Sequence, residues 1–144
     1  MRTKRESGLT MFELLIVVVI IGIVITIAIP SYRMYMVKSR LNGAARMVMS
    51  DLMAARMKAI KVNRDVRVDF STSGGGQYTF DVGQAEAVTK NVQSHYSGVT
   101  MQSTVTSVIF NPTGRAGAIN TIIVNNSLGS KSITISTAGR VRIS

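Results

Sequence analysis

The stretch Gly8-Leu9-Thr10-Met11-Phe12-Glu13, followed at once by an apolar run from Leu14 to Ile29, decides how the rest of this chain is read. About twenty apolar residues suffice for a helix to span a bilayer. One carboxylate, Glu13, stands at the mouth of the run. A charge there is costly unless something pairs with it, which makes Glu13 a candidate site. Upstream lies a short basic leader, Met1-Arg2-Thr3-Lys4-Arg5-Glu6-Ser7-Gly8, and downstream Pro30 closes the run. A secretory signal peptide also has a basic start and an apolar middle, and Thr26-Ile27-Ala28 offers a small-x-small cleavage site. The acidic residue at the start of the run and the length of the run speak against it. A plain single-pass anchor explains the apolar residues but neither Gly8 nor Glu13.

These residues resemble the N-terminus of type IV pilins and of type II secretion pseudopilins. The resemblance implies cleavage by a prepilin peptidase after Gly8 and N-methylation of the new N-terminus at Leu9, where the family usually carries phenylalanine. It makes Glu13 the fifth mature residue, a position that is glutamate in the family, and matches the family's proline with Pro30. The partners it implies are other pilin subunits, the peptidase and the bacterial inner membrane.

Composition agrees with one modest domain beyond the apolar segment. The chain has 144 residues and no cysteine, so its core must be held by packing alone. Its formal charge is +10, and loss of the leader leaves 14 basic and 6 acidic residues, or +8. Such a balance points to an anionic partner, either nucleic acid or a membrane surface.

Beyond Pro30 the periodicity stays helical. Val37, Leu41, Ala44, Val48, Leu52, Ala55 and Ala59 recur at steps of three and four, one face of an α-helix. Arg40, Arg46, Arg56, Lys58 and Lys61 fall off this stripe, toward solvent or its edges. A helix from Leu9 to about Val62 would be roughly 80 Å long at 1.5 Å per residue. Pro30 lacks an N–H, so a kink or local melting is expected near Thr26 to Ile29. Gly43 is a second weak spot, or a point of close packing.

After Asn63 the period changes to two. Strands are predicted at 66–70 and 78–82 around a hairpin tip at 71–76, then at 107–110, 120–124, 131–136 and 140–143. Residues 83–103 read as a loop with at most one short strand. Gly74-Gly75-Gly76 has no following Gly-Lys-Ser/Thr, so a phosphate loop is not indicated. The expected organisation is a leader at 1–8, a transmembrane and assembly half-helix at 9–30, an amphipathic half-helix at 31–62, and a β-rich head at 63–144. The fold class is α+β, a long N-terminal helix on an antiparallel sheet.

Two places carry chemistry. Cleavage after Gly8 would free an amine on Leu9, able to pair with the Glu13 carboxylate of a neighbouring subunit, so Glu13 with Pro30 would serve assembly. A buried carboxylate left unpaired is strongly unfavourable, which would make Glu13 a register device. The chain also ends Gly139-Arg140-Val141-Arg142-Ile143-Ser144. Alternation sets Arg140 and Arg142 on one face, about 7 Å apart, comparable to the step between backbone phosphates. Arg115 follows Gly114 in a second turn, and Lys131, Lys90 and Arg67 are outlying candidates. The Gly-Arg-x-Arg ending resembles the DNA-binding motif of FimT-type minor pilins of the GspH/FimT family, which also share this layout. The ordinary alternative is a charged edge strand that deters edge-to-edge pairing.

Catalysis has little to stand on: the single histidine, His95, sits in a polar segment, and there is neither cysteine nor a carboxylate cluster. Ser94 and His95 are adjacent, a spacing that rarely gives triad geometry. No metal or cofactor is expected. The nine methionines are adaptable packing residues. The expected function is a minor pilin that takes up extracellular DNA in natural transformation through its C-terminal face. The runner-up is a type II secretion pseudopilin. A purely structural major pilin comes third, because a basic head repeated along a fibre repels itself.

Overall fold

The computed structural model describes residues 10–71, 76–81 and 87–144. Gly8 and Leu9, the tip residues 72–75 and Val82 lie outside the described residues. The order is α1 (Met11–Val62), β1 (Val66–Phe70), β2 (Gln77–Asp81), β3 (Val88–Asn91), α2 (Val92–His95), β4 (Thr100–Ser103), β5 (Ser107–Phe110), β6 (Asn120–Asn126), β7 (Gly129–Ile135) and β8 (Val141–Ile143). The chain divides between Met36 and Val37 into two compact units.

In the N-terminal unit, Thr10 starts α1. Its carbonyl accepts the Leu14 N–H at 3.2 Å and its hydroxyl accepts the Glu13 N–H at 3.3 Å. Thr10-Met11-Phe12-Glu13 is thus a capping-box sequence, with the carboxylate in the first turn, where the helix dipole favours it. The apolar run is long enough to cross a membrane, and none of its residues is buried. The expected melting at Pro30 does not occur, since α1 stays helical from Thr26 through Pro30. The proline removes a single donor from the ladder, and the turns on either side carry the helix across.

The second unit holds the head. Seven helix residues are buried, Leu41, Ala44, Ala45, Val48, Leu52, Ala55 and Ala59, which is the expected stripe with Ala45 added and Val37 at its half-exposed end. They share one core with Val66, Val68 and Phe70 of β1, Ile122 and Val124 of β6, and Ile133 and Ile135 of β7. Gly43 admits the Tyr96 ring; a Cβ there would stand 2.6 Å from the ring carbon Cε1.

The strands form two four-stranded antiparallel sheets, β3-β2-β1-β5 and β4-β6-β7-β8, where one sheet was expected. Two sheets let both apolar faces cover one helical stripe. The segment expected to be mostly loop carries β3, α2 and β4. β3 has no alternation to betray it, because Val88 and Thr89 are exposed and the strand is held as an edge by β2. β4 turns only Met101 into the core. Asn120, a buried polar side chain, exchanges hydrogen bonds with Ser103 and accepts one from Thr104, so nothing is left unsatisfied.

On the other flank of the helix, the Asp51 carboxylate accepts the Tyr78 hydroxyl at 2.6 Å and the Lys90 ammonium at 2.7 Å. Burial, then the hydrogen bond to Asp51 and the charge of Asp51, drive the Tyr78 hydroxyl far above its ordinary value of 10.0. Tyrosine ionises near 10 in the unfolded chain but stays neutral in the folded one. Above that pH the unfolded state therefore holds fewer protons, and stability falls as pH rises. Tyr78→Phe is expected to flatten this alkaline loss, read from denaturant midpoints between about pH 9 and 11.5. A wild-type slope in the variant would remove Tyr78 as its source.

Candidate nucleic-acid interface

The two Gly-Arg pairs fold into the same turn. From Asn111 to Arg115, the Asn111 N–H donates to the Arg115 carbonyl at 2.9 Å and the Gly114 N–H to the Asn111 carbonyl at 2.8 Å. From Ser136 to Arg140, the Ser136 N–H donates to the Arg140 carbonyl at 3.0 Å and the Gly139 N–H to the Ser136 carbonyl at 2.8 Å. Gly114 and Gly139 take left-handed φ values of 75° and 73°. Each is a three-residue loop closed by a glycine that only a residue without Cβ enters cheaply, and the next residue out is an arginine.

The turns lie against each other. The Ala116 N–H donates to the Thr137 carbonyl at 3.1 Å. A Cβ on Gly139 would collide with the Gly114 carbonyl oxygen. That oxygen accepts the Arg56 Nε–H at 2.8 Å, so a helix side chain anchors the turn that carries Arg115. Arg115, Arg140 and Arg142 are exposed, while Val141 between the last two is buried, as alternation predicted.

Arg140 borders two grooves. One, of about 410 Å³, is lined by Thr134, Ser136, Ala138, Arg140 and Arg142 on the outer face of the β7–β8 pair. The other, of about 230 Å³, is lined by Met53, Arg56, Met57, Gly139, Arg140 and Val141 at the edge of β8, beside the helix. Among the described residues none of Arg56, Arg115, Arg140 and Arg142 has an ion-pair partner.

The outlying candidates do not join this cluster. Lys131 stands opposite Val124 in register, whereas Arg142 stands opposite Thr134, so the two lie on opposite faces of the sheet. Lys90 is committed to Asp51 at 2.7 Å, and Arg67 pairs with Asp69 at 3.5 Å in the other sheet. Sequence reasoning missed Arg56. Its signal was the i+4 step from buried Leu52, which sets it on the rim of the core stripe rather than in open solvent.

Tyr78 and Phe110 are buried, and Phe80 and Tyr96 pack on the core, which leaves no aromatic platform beside the arginines among them. Ser94 and His95 come within 3.0 Å of each other. The Ser94 hydroxyl nevertheless donates to the Asn91 carbonyl at 2.7 Å, so its proton is not offered to the imidazole. No group of three or more His, Cys, Asp or Glu suited to a metal occurs among the described residues.

A helix with an exposed apolar N-terminal stretch, continuing into an amphipathic half under an antiparallel β head, defines a type IV pilin-like protein. Comparisons place it more closely. The family model described as type II transport protein GspH matches residues 44–139, and that of the prokaryotic N-terminal methylation motif matches residues 3–29. The chain belongs to the GspH family. It is 38% identical over 84 residues to a fimbrial protein of Pseudomonas aeruginosa, covering 58% of this chain and 52% of that one. The chain thus spans about half the length of that curated relative. Pilin-like protein PilA1 of Thermus thermophilus is 28% identical over 158 aligned positions, 98% of this chain and 99% of the relative. The type IV minor pilin FimU of Pseudomonas aeruginosa superposes with a TM-score of 0.62 at 18% identity, covering 74% of this chain and 90% of FimU. The minor pseudopilin EpsH of the Vibrio cholerae type 2 secretion system gives 0.58 at 11%, covering 73% and 96%. At these identities the likeness is one of fold.

Proposed function

We propose that the chain is a minor pilin of a type IV pilus that captures extracellular DNA, for uptake in natural transformation, through its basic C-terminal face. The observation that carries this reading is the packing of the two Gly-Arg turns, which gathers arginines that have no acidic partner among the described residues beside two grooves. Such a face suits a polyanion held by its phosphates and indifferent to base sequence. In this reading prepilin peptidase cuts after Gly8 and Leu9 carries the free amine. The apolar half of α1 holds the subunit in the inner membrane as a single pass, with the head in the periplasm. Glu13 and Pro30 then serve its entry, beside other pilin subunits, into a filament at the cell surface. No cofactor or enzymatic step is needed.

The test is DNA binding by the full chain in detergent micelles, across a salt series, with and without Arg140→Ala and Arg142→Ala together. Wild-type binding should weaken with salt, and the double variant should lose at least tenfold in affinity and about two units of slope in log K against log salt. Equal binding by both would leave the arginines as a charged edge strand. A secretion pseudopilin would then be the better reading, favoured by the matched family's description and by the fold of EpsH.

A further inference from the structure

We infer that Arg56, on the helix, is a further phosphate-binding residue, and that a nucleic-acid backbone follows an arc from Arg142 through Arg140 to Arg56 around the β8 edge. This assignment rests on the DNA reading above and extends it to a residue outside the Gly-Arg-x-Arg ending.

Three observations meet at this side chain. Its Nε–H is taken by the Gly114 carbonyl at 2.8 Å, which fixes the plane of the guanidinium and leaves its outer nitrogens without a protein partner among the described residues. Arg56 is half-buried, so its charge is only partly screened by water, and among the described residues no carboxylate pairs with it. A cation held in that state is a ready anion site, because its desolvation is already partly paid by the fold and a phosphate supplies the missing charge. Finally, the groove that Arg56 lines is bordered by Arg140, which also lines the outer groove with Arg142. Arg140 is the corner where the two grooves meet.

The geometry also separates the roles of the arginine atoms. Nε holds the turn that carries Arg115, and the Nη edge is the part offered to phosphate. Met53 and Met57 form the apolar floor of this groove and are 40% and 65% exposed. They give the sugar-phosphate chain a non-competing surface, since methionine offers no strong hydrogen-bonding group.

The experiment compares wild type, Arg56→Gln and Arg56→Lys, each as the full chain in detergent micelles, with a short DNA duplex over a salt series. Arg56→Gln keeps an amide able to donate to Gly114 and removes the charge together with the outer nitrogens. It should bind about tenfold more weakly at low salt, with a salt slope smaller by about one. Arg56→Lys keeps the charge and should keep the wild-type slope, with an affinity between the other two. A Gln variant that binds as wild type overturns the assignment alone. So does weaker binding at an unchanged salt slope, which is the mark of a purely structural role, and so does a Lys variant that behaves as the Gln variant. A wild-type chain that binds no DNA overturns both this assignment and the reading beneath it.

Discussion

Gly139→Ala is expected to unfold the head far more readily than Gly98→Ala, although the two glycines have nearly the same φ. Their φ values are 73° and 78°, so an added Cβ meets the same left-handed penalty at both, about 1–2 kcal/mol. The surroundings differ. Nothing lies within 4 Å of a Cβ at Gly98, whereas at Gly139 it runs into the Gly114 carbonyl and stands 3.0 Å from Arg56 Nε. Neither neighbour yields easily, because the carbonyl is backbone and the guanidinium is tied to it at 2.8 Å. Overpacking of this kind adds about 1–3 kcal/mol, giving a total of about 2–5 kcal/mol against about 1–2 at Gly98. Denaturant unfolding followed by tyrosine fluorescence measures both. Equal losses would mean that the two turns are not in contact in solution. The same variant should weaken DNA binding more than Arg115→Ala does, because it parts the turns that carry Arg115 and Arg140.

The second large effect is at Glu13, where the local structure offers a competing explanation. Glu13 is the third helical residue after Thr10, its N–H donates to the Thr10 hydroxyl, and the Thr-x-x-Glu spacing is that of a capping box, a purely local reason for a glutamate. Assembly through an amine on a neighbouring subunit's Leu9 is a reason that needs the charge itself. Glu13→Gln separates them, since glutamine serves a capping box as well as glutamate does but cannot pair with an ammonium. If pairing sets subunit register, Glu13→Gln and Glu13→Val should both insert into the membrane yet be absent from sheared filaments. If capping is the role, Glu13→Gln should be incorporated as wild type and only Glu13→Val should fall. Immunoblots of filament and membrane fractions read the difference.

Much of the architecture is legible in the order of residues. A helical stripe of three- and four-residue steps names the buried face of α1 almost residue for residue, because one side of a helix meeting a core leaves that period in any sequence. Alternation at 66–70 and 141–143 gives the faces of β1 and β8 in the same way, Val141 inward and Arg142 outward. The N-terminal motif resembles that of type IV pilins, and the match of residues 3–29 to the N-terminal methylation motif agrees with it. The leader, glutamate and proline stand in register whatever the head does.

Other features are decided only by long-range contact. β3 is an edge strand whose exposed residues follow no pattern, so β2 alone makes it a strand. The division into two sheets depends on how the inward faces share one stripe of helix, which no local period records. The same holds for charge. The sequence offers Lys131, Lys90 and Arg67 as outlying candidates, yet pairing register sends Lys131 to the opposite face and two carboxylates pair with the others. The chain's sequence thus determined α1, most of its strands and their buried faces, because those follow from near-neighbour periodicity, and it carried the N-terminal resemblance to pilins. Only the tertiary structure decided which arginines stand together. Two Gly-Arg turns far apart in the chain meet through the hydrogen bond from Ala116 to Thr137 and the close approach of Gly139 to the Gly114 carbonyl, which also accepts from Arg56, and sequence distance carries no trace of these contacts.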